Sequence, residues 1–140
     1  MPKKILVVDD EPHIVKMVES RLKANGYEVI IAYDGQEAVE KVKSDMPDLI
    51  VLDLLLPKIE GYMVFDMLKQ EEKYKNIPIV MLTASAGYED IKRGMEIGAI
   101  AYVTKPFKAE VLLGIIAGAV GDGSVIKTAL KEKIDEAKIS

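Results

Sequence analysis

Residues 48–53 read Asp-Leu-Ile-Val-Leu-Asp, and three further leucines and a proline follow at positions 54–57. Four consecutive apolar residues closed by an acid are typical of a strand buried on both faces, because a half-exposed strand alternates polar with apolar residues. Similar short runs occupy residues 4–8, 27–32, 77–82 and 100–103. The sequence therefore predicts five buried strands.

Helical patterns separate these strands. Pro12 suits the first turn of a helix, and Asn25-Gly26 is typical of a helix end. The remaining helices are predicted at 35–43, 61–72, 88–97 and 109–120. Strands that alternate with helices indicate βαβ units, whose right-handed crossovers build a doubly wound α/β fold around a parallel sheet.

The pattern changes near the end of the chain, so we predict a domain over residues 1–120 and an amphipathic helical extension over 121–140. Gly121-Asp122-Gly123 interrupts the last predicted helix, and Ser124 can cap a new one. Apolar residues then recur at helical spacing: Ile126, Leu130, Ile134 and Ala137. This helix could pack on its own domain, lead to an output domain or dimerise. The apolar helix 109–120 calls for a cover, either this extension or another subunit.

Composition excludes several classes of protein. The chain has 140 residues, 49% of them hydrophobic and 30% charged, which argues against disorder. It has no cysteine and one histidine, His13, so disulfides, zinc–thiolate sites and two-histidine metal sites are excluded. A net charge of −4 argues against direct nucleic-acid binding. No apolar stretch is long enough for a membrane span or a secretory signal, and we expect a cytoplasmic protein.

Polar residues lie at the carboxyl ends of most of the predicted strands. This is the edge where open parallel sheets bind ligands. These residues are Asp9, Asp10, Asp53, Thr83 and Lys105. Three carboxylates repel one another unless a cation joins them, and Mg²⁺ prefers carboxylate, carbonyl and water oxygens. Lys105 and Thr83 could hold phosphoryl oxygens, and Asp53 is the candidate for a covalent acceptor.

These fragments together resemble the receiver domain of two-component response regulators, over residues 3 to about 119. The resemblance rests on Asp9-Asp10, on Asp53 with 54–57 and Gly61, on Thr83-Ala84 and on Lys105-Pro106-Phe107. It implies a flavodoxin-like sheet with the strand order 2-1-3-4-5. It also implies a phosphoprotein that catalyses only its own phosphorylation and dephosphorylation and is not an enzyme in the usual sense.

The resemblance assigns roles to individual residues. Asp53 would accept the phosphoryl group. Mg²⁺ or Mn²⁺ would be held by Asp10 directly, by Asp9 mostly through water, by Asp53 and by the backbone carbonyl of Leu55. Thr83, Ala84 and Lys105 would bind the phosphoryl group, and the Lys105–Pro106 peptide bond would be cis.

A switch and its partners also follow from the resemblance. Thr83 would move towards the phosphoryl group and let Tyr102 turn inward, which changes the surface formed by residues 88–97, 100–103 and 109–120. The donor would be a sensor histidine kinase or a phosphotransfer protein. The target would be a downstream protein or an output domain, and a homodimer through 109–120 or the extension is a further possibility.

Three alternative functions are each compatible with part of this pattern. A degenerate receiver would bind partners without phosphorylation, although here every position of the site is filled. An aspartyl-phosphate hydrolase would carry a general acid two residues after the nucleophile, where this chain has Leu55. A flavin-binding module would need a Gly- and hydroxyl-rich loop after the first strand, where this chain has Asp-Asp-Glu-Pro.

Overall fold

A computed structural model describes residues 2–54, 56, 58, 61–83 and 98–121 of the chain. The strands within these residues are β1 (Lys4–Val8), β2 (Glu28–Ala32), β3 (Leu49–Asp53), β4 (Ile79–Thr83) and β5 (Ala101–Thr104). The helices are α1 (Pro12–Ala24), α2 (Gly35–Asp45), α3 (Gly61–Lys69) and α4 (Ala109–Val120). Strands and helices alternate, as the sequence predicts.

The five strands form one parallel sheet in the order β2-β1-β3-β4-β5, which confirms the predicted doubly wound fold. In the register, Val8 lies beside Leu52, and Asp53 lies beside Leu82. The chain order reverses between β1 and β3, and the carboxyl ends of these two strands therefore meet at one edge of the sheet.

Both faces of the sheet are covered, because alternate residues of each strand point to opposite sides. Leu6, Val8, Ile50 and Leu52 join a cluster with Phe65 from α3. Their strand neighbours belong to a second cluster with α1 and α4, which contains Ile5, Val7, Leu49, Val51, Leu22, Ile115 and Ile116. Two apolar faces per strand explain why the sequence runs are continuous and do not alternate.

The ends of two helices illustrate how local sequence sets the boundaries. The chain leaves α1 through Gly26, whose φ of +87° favours glycine. The predicted helix 61–72 is three residues too long, because α3 ends at Lys69. The Lys69 ammonium donates to the carbonyl oxygens of Lys75 at 2.8 Å and Ile77 at 3.2 Å, which holds the following turn against the helix end.

Two predicted helices, 88–97 and 124–138, lie outside the described residues. The last described helix ends at Val120, and the predicted domain boundary at 120/121 stays a prediction. In the part of the chain that the structure describes, no helix is both long and apolar enough to cross a membrane.

Candidate functional site

Three polar residues are buried at the carboxyl ends of the central strands. Within the described residues, the buried polar or charged side chains are Asp9, Asp53 and Thr83, with exposures of 0%, 3% and 3%. Asp53 and Thr83 are the last residues of β3 and β4, and Asp9 directly follows β1. Buried acids are costly unless they are paired or bind a cation, and this edge of the sheet is therefore the candidate site.

The loop after β1 fixes the orientation of Asp9. The Asp9 backbone N–H donates to the carbonyl oxygen of Ala32 at 3.2 Å, which ties the loop to β2. The Asp9 side chain accepts from the backbone N–H of Glu11 at 2.9 Å through Oδ1. Pro12 then starts α1 at its first position, where the missing N–H costs nothing. Asp10 is exposed at the mouth of the site.

Gly61 allows the backbone to approach the acceptor strand closely. Its N–H donates to the carbonyl oxygen of Leu54 at 3.1 Å. A Cβ atom at this position would overlap the carbonyl oxygen of Asp53 and would lie 2.6 Å from the Cα of Leu54. The start of α3 can therefore pack against the end of β3 only when residue 61 has no side chain.

Lys105 bridges the acids. Its ammonium lies 2.8 Å from Asp9 Oδ2, 2.8 Å from Glu11 Oε1 and 2.9 Å from Asp53 Oδ2. The contact with Asp9 Oδ2 is an ion pair outside hydrogen-bond geometry, whereas those with Glu11 and Asp53 are also hydrogen bonds. The Lys105 backbone N–H donates to the carbonyl oxygen of Thr83 at 2.7 Å, which anchors the residue to the end of β4.

The protonation of the site follows from these contacts. Burial alone would lower the pKa of Lys105, but its contacts with Asp9, Glu11 and Asp53 outweigh burial and raise the pKa above its ordinary value. The hydrogen bond from Lys105, with its positive charge, lowers the pKa of Glu11. The ammonium therefore stays charged at neutral pH and offsets part of the negative charge around it.

The acids have the chemistry of a divalent-cation site. Oxygen atoms of Asp9, Asp10, Glu11 and Asp53 all lie within 4.8 Å of one another. Four carboxylates face one ammonium, so the site has an excess of negative charge, and one buried oxygen of Asp9 accepts no hydrogen bond. Mg²⁺ and Mn²⁺ favour such oxygen ligands. The residues present therefore fit the predicted metal.

The structure brings together most of the predicted site residues. Asp9, Asp10, Asp53 and Lys105 form one cluster, and Thr83 is buried at the neighbouring strand end. The Lys105–Pro106 peptide bond is cis, which is the isomer that the resemblance implies. Tyr102 is 7% exposed and packs in the cluster that contains Phe65. The predicted roles of Leu55 and Ala84 fall on residues outside the described part of the chain.

One member of the site and one ion pair between loops at the carboxyl ends of the strands were not predicted from the sequence. Glu11 was not predicted as a member, although it directly follows Asp9-Asp10 and its side chain reaches Lys105. Lys58 lies in the loop after β3 with a φ of +68°, and its ammonium lies 3.3 Å from Asp34 at the start of α2. Adjacency to the acidic pair could have indicated Glu11, whereas no sequence signal pointed to the Lys58–Asp34 pair.

Comparison with known proteins agrees with this geometry. Residues 5–117 match the family described as "Response regulator receiver domain". The alkaline phosphatase synthesis transcriptional regulatory protein PhoP of Bacillus subtilis (strain 168) is 50% identical over 107 residues, which are 76% of this chain and 44% of that protein. The chain thus spans about half the length of the curated relatives it matches.

Solved structures give the same result for the fold. The chemotaxis response regulator CheY4 of Vibrio cholerae is 34% identical with a TM-score of 0.79, over 85% of this chain and 99% of that one. The receiver domain of the sensor histidine kinase PA1611 of Pseudomonas aeruginosa PAO1 is 31% identical with a TM-score of 0.78, over 86% and 99%. That structure has a magnesium ion coordinated in its active site cleft.

Proposed function

This chain belongs to the response regulator receiver family, and we propose that its Asp53 accepts a phosphoryl group in a Mg²⁺-dependent reaction. The donor is the phosphohistidine of a sensor histidine kinase or of a phosphotransfer protein. The product is an aspartyl phosphate that changes the surface presented to a partner. The chain catalyses its own phosphorylation and dephosphorylation and does not turn over a separate substrate. The cytoplasm is the proposed location, because these donors derive their phosphoryl groups from ATP.

The observation that carries this proposal is the ammonium of Lys105 at 2.9 Å from Asp53 Oδ2. Asp53 is the buried acid at the end of the central strand, and Lys105 is anchored beside it through the carbonyl oxygen of Thr83. A positive charge held next to a carboxylate can neutralise an oxygen of an incoming phosphoryl group, which is negatively charged throughout the transfer.

The transfer itself needs little covalent chemistry from the protein. An oxygen of Asp53 attacks the phosphorus atom, and the bond from phosphorus to the donor nitrogen breaks as the new P–O bond forms. The electron pair of the broken bond stays on the imidazole, which takes up a proton from water. Lys105 keeps its proton and moves its contact from Asp53 to a phosphoryl oxygen.

Asp9, Asp10 and Asp53 are the residues that would hold the metal, and the backbone carbonyl of Leu55 is proposed as a further ligand. When bound, Mg²⁺ or Mn²⁺ supplies positive charge to the phosphoryl oxygens. The close packing of four carboxylates supports this assignment. The magnesium ion in the cleft of the PA1611 receiver supports it as well.

The output of the reaction is proposed to pass through Thr83 and Tyr102. The hydroxyl group of Thr83, together with residue Ala84, would bind the phosphoryl group. Tyr102 lies in β5, next to β4, and a change in its packing would alter the surface formed by residues 88–97, β5 and α4. The partner is a downstream protein or an output domain, which agrees with the greater length of relatives named as transcriptional regulators.

Intact-mass spectrometry after incubation with acetyl phosphate tests the proposal. We expect one added phosphoryl group, about 80 Da in mass, that depends on Mg²⁺ and is absent in Asp53→Asn. The matched control is Asp66→Asn, which removes an exposed acid of α3 outside the site and should label like the wild type.

Labelling of Asp53→Asn equal to that of the wild type would contradict the acceptor assignment. If no adduct is seen, binding of beryllofluoride distinguishes rapid loss of the phosphoryl group from an inactive site, because beryllofluoride binds an active site as a stable mimic of the phosphoryl group. Failure of both reagents would favour a receiver-fold interaction module that works without phosphorylation. Multiple turnover on phosphate esters would instead favour a hydrolase.

A further inference from the structure

The last described helix, α4, is apolar on every side. Among its twelve residues, Glu110 is the one that carries a charge, and the others are Ala, Val, Leu, Ile or Gly. A helix that is hydrophobic all round is normally covered all round, because a solvated face would carry polar residues. All residues from Val111 to Val120 are buried or half-buried.

The described chain covers one side of this helix. Leu112, Ile115 and Ile116 are buried and belong to the cluster that α4 shares with α1 and the sheet. At 100° per residue, Glu110, Gly114, Ala117 and Gly121 line up on the opposite side. A Cβ atom built at Gly114 meets no atom of the described chain within 4 Å. This opposite side is called the outer face of α4 below, and half-buried Val111, Leu113 and Val120 flank it.

We propose that residues 124–138 form a helix that folds back at Gly121-Asp122-Gly123 and packs against the outer face of α4. The N–H of Gly121 donates to the carbonyl oxygen of Ala117 at 2.9 Å and completes the last turn of α4, and Asp122-Gly123 directly after it are residues typical of turns. Nineteen residues follow Gly121. A helix over 124–138 would be about 22 Å long, enough to cover the roughly 18 Å of α4.

The sequence of this segment matches the face it would cover. Its apolar residues Ile126, Leu130, Ile134 and Ala137 share one side of a helix, whereas Thr128 lies on the opposite side. The outer face of α4 offers Gly114 and Ala117, and small residues let two helices approach closely. Because the outer face of α4 has a single charge, at one end, it is complementary to an apolar stripe and not to a strongly charged partner.

Tethering favours this segment over a second copy of the chain. A three-residue turn keeps the segment beside α4 at an effective concentration in the millimolar range or above. A stable dimer through the same face would need to bury roughly 1,200–2,000 Å², which is more than one short helix face supplies. The segment would therefore occupy the face first.

Covering this face has a consequence for signalling. This consequence rests on the proposed function, whereas the packing of the helix is independent of it. α4 and the neighbouring β5 belong to the surface proposed to change on phosphorylation. A partner that binds the outer face of α4 would have to displace residues 124–138. The segment would thereby set the affinity for such a partner.

Methyl NMR on the full chain tests the packing without any phosphorylation. We expect nuclear Overhauser contacts between the methyl groups of Leu113 or Ala117 and those of Ile126 or Leu130. Leu130→Glu should abolish these contacts, because it places a charge in the apolar stripe. Thr128→Glu is the matched control, since it adds the same charge two residues away on the opposite side, and it should retain them.

A sample that mixes two isotope labels separates contacts within a molecule from contacts between molecules. Contacts within one molecule, lost in Leu130→Glu and kept in Thr128→Glu, support the proposal. Contacts only between molecules, with a dimeric mass in light scattering, overturn it in favour of a second copy. Absence of both kinds of contact in the wild type also overturns it. Amide spectra of residues in β1 and β3 verify that each variant keeps the receiver fold.

Discussion

Replacing Asp53 by asparagine should stabilise the protein in the absence of Mg²⁺, although the same change abolishes the proposed phosphorylation. The side chain keeps its size and an oxygen that can accept from Lys105, but one of four clustered negative charges is removed. The variant therefore tests whether the site is electrostatically unfavourable without its metal.

The distances give the size of the effect. At an effective dielectric constant of 20, Asp53 gains about 6 kcal/mol from Lys105 at 2.9 Å and loses at least about 3.5 kcal/mol to Asp9, whose carboxylate lies within 4.8 Å. Asp10 and Glu11 add further repulsion, and burying the Asp53 carboxylate costs several kcal/mol more. The charge on Asp53 is thus unfavourable overall. Because Asp10 is exposed and Glu11 is about half exposed, water screens much of their repulsion, and we expect about 1–3 kcal/mol of stabilisation on removal of the charge.

Thermal and urea unfolding at pH 7 measure this difference. For a domain of this size we expect the melting temperature of Asp53→Asn to rise by about 4–12 °C in buffer with EDTA. Saturating Mg²⁺ should stabilise the wild type by mass action and the variant much less, so the two curves converge. Asp66→Asn changes the net charge by the same unit outside the site and should leave the melting temperature within about 2 °C.

A lower free energy of unfolding for Asp53→Asn in EDTA, with no such loss for Asp66→Asn, would refute this prediction. That result would mean that the ion pair with Lys105 outweighs the repulsion among the acids. It would also remove the electrostatic argument for a metal at this position.

Two further changes test the loops around the site. Gly61→Ala should destabilise the fold by at least about 1–3 kcal/mol in urea unfolding, because its Cβ would overlap the Asp53 carbonyl oxygen. An unchanged urea midpoint would contradict this close packing. Asp34 accepts from the backbone N–H of Glu37 at 2.8 Å and caps α2, and this hydrogen bond lowers the pKa of Asp34 below its ordinary value. Because the folded-state pKa is depressed, the contribution of Asp34 is present above about pH 4 and is lost as the pH falls through the folded pKa. Asp34→Ala should therefore lower the midpoint of urea unfolding at pH 7. The difference in midpoint between this variant and the wild type should shrink below pH 4. A constant difference from pH 7 to pH 2.5 would show that the charge of Asp34 is not involved.

The sheet could be predicted because its strands are buried on both faces. Continuous runs such as 49–52 leave no other placement in a βαβ protein, and the acids and Lys105 converge because parallel strands end at a common edge. The end of α3 was less predictable. Residues 70–72 are Gln-Glu-Glu, which favour a helix, and no sequence signal ends α3 at Lys69. The bonds from the Lys69 side chain to the carbonyl oxygens six and eight residues ahead are visible only in the structure.

Glu11 shows a second limit on how much of the site can be predicted from the sequence. Its side chain is about half exposed, and it contacts Lys105, which directly follows β5 in the sequence. Sequence adjacency to Asp9-Asp10 is compatible both with a solvated acid and with a partner for Lys105. Only the three-dimensional arrangement, in which residues 94 positions apart meet, separates the two.

The crowding of four carboxylates around one ammonium also has an evolutionary consequence. Substitutions that remove an acid from this edge of the sheet would be favoured by selection for stability alone, yet loss of Asp9, Asp10 or Asp53 would remove a proposed metal ligand or the proposed acceptor. At this cluster the requirements of the proposed signalling reaction therefore oppose the requirements of stability. Engineering this domain for heat resistance should consequently begin away from this cluster, since the most stabilising changes there would also abolish the proposed phosphorylation.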